Sequence, residues 1–93
     1  MYKKGYRKEL EALEILKKNY AFVTRTPKSS TPIDIIALSK NGIKLIQVKS
    51  GSSKISKKEL EELKKLKEKL GSGYSVEVWY FEKYKKPRII EIS

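Results

Sequence analysis

The sequence contains no cysteine and no histidine among its 93 residues. The absence of cysteine excludes disulfide bonds and thiolate chemistry, and it is compatible with a reducing compartment. The absence of histidine excludes Ser-His-Asp and Cys-His catalysis and zinc sites with His ligands. Any catalysis must therefore use carboxylates, lysine, tyrosine or a hard metal ion bound by oxygen ligands.

Long apolar segments are also lacking. No apolar run reaches the ~18 residues that a membrane-spanning helix needs, and no signal peptide is visible. We therefore expect a cytoplasmic protein with no membrane partner. The length predicts one domain over residues 1–93, and its core is small enough that dimerisation would add to its stability.

Acidic residues are few relative to basic ones. The chain has 22 Lys and Arg against 11 Asp and Glu, a net charge of +11. The excess lies in residues 1–58, which hold 14 basic and 4 acidic residues. A basic field of this kind favours a polyanionic partner, most commonly nucleic acid. The alternative is that the Lys-rich surface only increases solubility or reflects life at high temperature.

Apolar periodicity and turn signals predict a helix, three strands, a second helix and two more strands. The predicted helices cover residues 5–18 and 56–70, and the strands cover 21–26, 33–38, 43–50, 74–81 and 88–92. Leu10, Leu13 and Leu16 are expected to face the core. This order predicts an α/β fold in which helices flank a mixed central sheet.

The ends of the second helix have clear signals. Ser56 and Glu59 have the spacing of a capping box, and Gly71 is a residue that ends helices. Alternating Glu and Lys between these ends indicate a solvated face with local ion pairs. Nothing in this segment indicates a catalytic role.

The hairpin of residues 33–50, with its predicted turn at Asn41-Gly42, carries the candidate site. Side chains alternate along a strand, so Gln47 and Lys49 share one face. A strand that served only for packing would not need an amide and an amine there. Asp34 opens the other arm of the hairpin.

The residues of this hairpin suggest a reaction. The Asp34 carboxylate, the Gln47 amide oxygen and the Val48 carbonyl are oxygen ligands of the kind that Mg²⁺ prefers. Lys49 could orient an attacking water and offset the charge that develops at phosphorus. The set therefore predicts a phosphodiester hydrolysis site.

Asp34, then a turn, then Gln47-x-Lys49 resembles the PD-(D/E)XK nuclease motif. The order αβββαβ matches the restriction-endonuclease-like core of that superfamily. Further features resemble the archaeal Holliday junction resolvase family, and these are Gly5 and Glu9 in the first helix, Arg25 in the first strand, Ser29-Ser30, the run from Asp34 to Leu38, and Val48-Lys49-Ser50.

This resemblance implies a metal-dependent endonuclease that acts on four-way or other branched DNA as a homodimer. It implies Mg²⁺ as cofactor, with Mn²⁺ as a substitute. The catalytic positions would be Glu9, Asp34, Gln47, Lys49 and the active-site serine, Ser30 or its neighbour Ser29. Asp34, Gln47, Val48 and, through water, Glu9 would hold the metal, and we expect DNA contacts from Arg25, Lys28, Ser29, Lys54, Lys3 and Lys4.

The chain departs from the family pattern at three positions. Gln47 stands where family members have Glu, which keeps an oxygen ligand but removes one negative charge. Leu10 replaces an Arg, and Ile33 separates Pro32 from Asp34. Mrr-like nucleases carry Gln-x-Lys, so an Mrr-like nuclease for other duplex DNA is one alternative. A catalytically weak or silent nucleic-acid-binding module is another, and a structural domain without a site is the last.

Overall fold

A computed structural model of the chain describes residues 4–26, 32–50, 54–82 and 86–92, with the backbone alone at residues 4–7 and 9. The helices in these ranges are α1 (Lys4–Lys17) and α2 (Lys57–Leu70). The strands are β1 (Phe22–Arg25), β2 (Ile35–Ser39), β3 (Gly42–Ser50), β4 (Tyr74–Phe81) and β5 (Arg88–Ile92). The predicted order of elements is confirmed.

The strands form one sheet in the order β1-β2-β3-β4-β5. β3 and β4 run parallel, whereas the other neighbouring pairs are antiparallel. Parallel neighbours need a crossover connection, and α2 supplies it between β3 and β4. The predicted α/β fold with a mixed sheet is therefore confirmed.

The core lies on both sides of this sheet because successive side chains of β3 point in opposite directions. The α1 face comprises the cluster Ala12, Leu13, Leu16, Ile35, Ala37, Ile46, Trp79 and Phe81. The α2 face comprises the cluster Ile33, Leu45, Leu63, Val76, Val78 and Ile92. Each helix therefore covers its own apolar layer of the sheet.

The buried stripe of α1 differs from the predicted one. Ala12, Leu13 and Leu16 are buried, whereas Leu10 is 40% exposed. Successive helical positions are about 100° apart, so a stripe centred between Ala12 and Leu16 leaves position 10 at its edge. The prediction that Leu10 faces the core is therefore wrong.

Both ends of α2 are as predicted. Ser56 Oγ accepts a hydrogen bond from Glu59 N at 3.1 Å, and Ser56 N donates to Glu59 Oε1 at 3.0 Å. These two bonds complete the capping box. At the other end Gly71 has a φ of +80°, and its N–H donates to Lys67 O at 3.1 Å. Leu63 anchors the helix to the α2 face, where it is fully buried.

A buried acid lies on the α1 face beside the single tryptophan. Glu77 accepts a hydrogen bond from Trp79 Nε1 at 2.9 Å, and Lys44 Nζ lies 3.0 Å from its other oxygen. Lys44 Nζ also lies 5.4 Å from the centre of the Tyr20 ring. Burial of a carboxylate is costly unless it is paired and hydrogen-bonded, and Glu77 meets both conditions.

β5 forms one edge of the sheet. This strand pairs with β4 along one side only, and its residues Ile89 and Ile90 are exposed. The homodimer that the resemblance implies stays a prediction. No helix within the described residues is long and apolar enough to cross a membrane.

The turn of the β2–β3 hairpin lies one residue earlier than predicted. Ser39 pairs with Gly42, so the connecting residues are Lys40 and Asn41, and Gly42 already belongs to β3. Gly42 has a φ of +140°, which favours glycine. A Cβ at this position would lie 3.0 Å from the carbonyl oxygen of Gly73, in the turn before β4.

We expect Gly42→Ala to lower the free energy of unfolding by about 1–3 kcal/mol, because both the φ angle and the contact with Gly73 disfavour a side chain. Urea unfolding followed by circular dichroism measures this. Gly73→Ala is the matched control, since its Cβ would have no heavy atom within 4 Å among the described residues. Equal losses in the two variants would contradict the argument.

Candidate active site

Asp34 is bound to the sheet on two sides just before β2 begins. Its N–H donates to Ile46 O at 2.8 Å, and its C=O accepts from Thr26 N at 3.0 Å. Its carboxylate oxygen Oδ2 accepts a hydrogen bond from Val48 N at 2.7 Å. The structure therefore places the Asp34 carboxylate against the backbone of β3, next to the other predicted site residues.

Gln47 and Lys49 lie on the same face of β3, as the alternation predicts, and both contact α2. Gln47 is 6% exposed, and the Lys49 side chain is 19% exposed. Gln47 Nε2 donates to Glu59 Oε2 at 3.3 Å. Lys49 Nζ lies 3.1 Å from Glu59 Oε1 and 2.8 Å from Oε2. The two side chains therefore meet at one carboxylate.

Glu59 also contacts the candidate site residues Gln47 and Lys49, although the sequence did not indicate it. Its place in the capping box accounts for it as a local feature of α2, and the neighbouring residues do not indicate a contact with β3. A signal was nevertheless present: the crossover helix follows β3, and an acid in its first turn is favoured by the helix dipole. Because α2 begins seven residues after β3 ends, Glu59 returns to the end of the strand that carries Lys49.

The environment of Glu59 favours its ionised form. The hydrogen bond from Lys49 lowers the pKa of Glu59 below its ordinary value of 4.5, and the backbone N–H of Ser56 acts in the same direction. Partial burial opposes this shift and is the weaker effect. Glu59 is therefore an anion at neutral pH, and it offsets the positive charge of Lys49.

Two predicted DNA-binding residues, Arg25 and Lys54, fall within the described residues. Arg25 pairs across the sheet with Ile35, which belongs to the α1 face, so Arg25 lies on the opposite face from Gln47 and Lys49. Lys54 is exposed. It precedes Ile55, whose N–H donates to Tyr80 Oη at 3.1 Å. The DNA contacts of both residues stay predictions.

Other predicted site residues fall outside the description. Lys3, Lys28, Ser29 and Ser30 lie outside the described residues. Lys4 and Glu9 are described by their α1 backbone alone, and position 9 comes one helical turn before Leu13. The catalytic and binding roles assigned to these residues by resemblance stay predictions.

The donor set fits a hard divalent cation. Gln47 Oε1 is buried and has no hydrogen-bond partner among the described residues. A buried acceptor without a partner costs about 1–3 kcal/mol, so a cation or a donor is expected at this oxygen. Carboxylate and amide oxygens are ligands that Mg²⁺ accepts. Within the described residues, however, no group of three or more acidic side chains could hold a metal.

Comparisons with known proteins identify the fold. No protein-family model matches the sequence, and no curated protein matches it significantly. The 1.6 Å structure of Hjc, a Holliday junction resolvase from the hyperthermophilic archaeon Archaeoglobus fulgidus, superposes with a TM-score of 0.78. The match covers 97% of this chain and 74% of that chain, at 23% sequence identity. The chain has the fold of that resolvase. The restriction-endonuclease-like fold class predicted from the element order is therefore confirmed.

The lowered pKa of Glu59 predicts how its contribution to stability depends on pH. A carboxylate whose pKa is depressed by folding stabilises the native state above its unfolded pKa, and this is lost as the pH falls through the folded value. We therefore expect wild type to exceed Glu59→Gln in free energy of unfolding above pH 4.5, with the difference disappearing below that value. Urea unfolding at a series of pH values measures it.

Glu62→Gln is the control, because it removes the same charge from an exposed position of α2. Gln can retain the capping hydrogen bond at position 59, so the comparison tests the charge contacts more than the helix cap. A difference between wild type and Glu59→Gln that grew on acidification would contradict the stated cause of the shift.

Proposed function

We propose that this protein is a Mg²⁺-dependent endodeoxyribonuclease of the Holliday junction resolvase type, hydrolysing phosphodiester bonds in branched DNA. The observation that carries the proposal is the convergence of Asp34, Gln47 and Lys49 at one end of the β2–β3 hairpin. The likeness in fold to a Holliday junction resolvase supports the substrate class. The net charge of +11 supports a polyanionic partner.

The residues of the site have distinct roles in this proposal. The Asp34 carboxylate and Gln47 Oε1 would hold Mg²⁺ together with the Val48 carbonyl, and Glu9 would contact it through water. When bound, Mg²⁺ would neutralise a phosphate oxygen and lower the pKa of a bound water. Asp34 is positioned for this by the hydrogen bond from Val48 N.

In this proposal Lys49 acts on the phosphate. Its ammonium has three donors, and the Glu59 carboxylate lies within hydrogen-bonding distance at both of its oxygens. The remaining donor can orient the attacking water or bind a phosphate oxygen as negative charge develops. Glu59 holds the amine at the end of β3 while this occurs.

A second candidate is a nucleic-acid-binding module on the same fold. The described residues supply few carboxylates to a cation, and Gln47 contributes no charge. Metal affinity would then be too low for hydrolysis, while the basic surface would still bind DNA. Cleavage and binding must therefore be measured separately.

We expect the wild type to cut a labelled four-way DNA junction in Mg²⁺ or Mn²⁺ and to be inactive in EDTA. Asp34→Asn should lower the cleavage rate by about 100-fold or more, because metal charge stabilisation is worth several kcal/mol. The asparagine oxygen can still accept from Val48 N, so the fold should persist. Gel analysis of the two strands also reports whether the cuts are symmetric.

Linear duplex and single-stranded DNA are the substrate controls, and Glu62→Gln is the protein control. Cleavage of linear duplex at the same rate would favour an Mrr-like activity. Tight junction binding without cutting in either metal would move the protein to the binding module. Gln47→Glu should increase cleavage at limiting Mg²⁺, since it adds a charge to the metal site.

DNA affinity should fall with salt, because each neutralised phosphate releases counterions. On duplex arms log K should decrease with log salt at a slope of about −0.9 per phosphate contacted. Lys54→Gln should make this slope less steep by about 0.9, the value of one phosphate contact. Lys65→Gln, on the exposed face of α2, is the matched control and should leave the slope unchanged. Binding that did not respond to salt would contradict the nucleic-acid proposal.

A further inference from the structure

The Gln47 amide is asymmetric, and this matters for any cation at the site. A carboxylate presents an oxygen whichever way it is turned, whereas an amide presents an oxygen on one side and an N–H group on the other. An N–H group directed at a cation repels it. A glutamine therefore serves as a metal ligand only where its surroundings fix the orientation of the amide.

Glu59 provides this fixation. An ionised carboxylate has acceptors but no donor, so the amide group that faces it must be the nitrogen. Gln47 Nε2 lies 3.3 Å from Glu59 Oε2. Gln47 Oε1 is then directed away from Glu59, and it is this oxygen that is buried with no partner among the described residues.

We propose that Glu59 is a positioning residue that orients the Gln47 amide so that Oε1 is presented to the divalent cation, while it also holds Lys49 beside the scissile phosphate. This inference rests on the proposed function, because it assumes a cation site at Asp34 and Gln47. In this inference the negative charge of the site comes from Glu59 on α2, whereas the motif usually has an acidic residue on the strand, at the position of Gln47.

Glu59 is itself held rigidly enough for this role. Its Oε1 atom accepts from Ser56 N at 3.0 Å and from Lys49 Nζ at 3.1 Å, and its Oε2 atom accepts from Lys49 Nζ and Gln47 Nε2. Partners that orient metal ligands in this way typically affect metal affinity by about 10–100-fold when mutated.

The proposal predicts that Glu59→Gln weakens Mn²⁺ binding by about tenfold or more. A glutamine at position 59 that keeps its oxygen on Ser56 N presents its NH₂ group to Gln47. The Gln47 oxygen then turns toward that donor and away from the cation. Isothermal titration of the full chain with Mn²⁺, in the absence of DNA, measures the dissociation constant. Glu62→Gln should bind Mn²⁺ like the wild type.

The double variant Gln47→Glu/Glu59→Gln separates orientation from charge. It has the same net charge as the wild type, but it exchanges the carboxylate and the amide between β3 and α2. A carboxylate at position 47 needs no orientation, so binding should return to the wild-type constant or tighter. This coupling between two residues in contact is what a double-mutant cycle detects.

A second readout follows the amide directly. Gln47 is the single glutamine of the chain, so its side-chain NH₂ group gives one pair of proton–nitrogen signals after selective labelling. In the wild type, the chemical shift of one Gln47 NH₂ proton should be moved downfield by the Glu59 carboxylate. This shift should persist when Mg²⁺ is added. In Glu59→Gln that downfield shift should be lost.

Four results would overturn the proposal. Glu59→Gln could bind Mn²⁺ as the wild type does, or the double variant could be as weak as Glu59→Gln alone. The downfield proton could disappear on adding Mg²⁺, which would mean that Glu59 changes partners. Finally, the wild type could bind no Mn²⁺, which would remove the cation that Gln47 is proposed to face. Junction cleavage tests the proposed function separately, because an active nuclease in which Glu59 is unimportant would contradict this inference alone.

Discussion

The parallel pairing of β3 with β4 is the constraint on which the site depends. Parallel neighbours cannot be joined by a hairpin, so the chain must cross over one face of the sheet before β4 begins. α2 makes this crossing, and its first turn therefore lies at the end of β3. Glu59 meets Lys49 and Gln47 for this reason. The crossover thus brings the second half of the site to the strand that carries the first.

The two faces of the sheet carry ion pairs in different surroundings. On the α1 face, the buried Glu77 carboxylate is paired with the half-buried Lys44 ammonium. On the α2 face, Glu59 offsets Lys49 and leaves the Gln47 oxygen without a partner among the described residues. The half-buried Lys49–Glu59 pair also fixes the positions of its two groups beside Gln47.

The sequence predicted most of the fold because its local signals agree with one another. The capping box, Gly71 and the alternation that places Gln47 beside Lys49 depend only on neighbouring residues, and they are confirmed. Leu10 was misplaced because a helix shows several leucines and only packing decides which are buried. Glu59 was missed because its contact with Lys49 joins residues ten apart through a crossover. A sequence motif does not include a residue that is brought to the site by the folded topology alone.

The buried contact between Trp79 and Glu77 gives the α1 layer an optical signature of its own. Trp79 is the only tryptophan, it is 3% exposed, and it lies on the α1 face away from Glu59. An indole in an apolar core fluoresces at shorter wavelength than one in water, so its emission reports the integrity of the α1 layer. Loss of the α2 crossover alone would leave that emission nearly unchanged. Fluorescence therefore distinguishes local release of α2 from unfolding of the whole sheet.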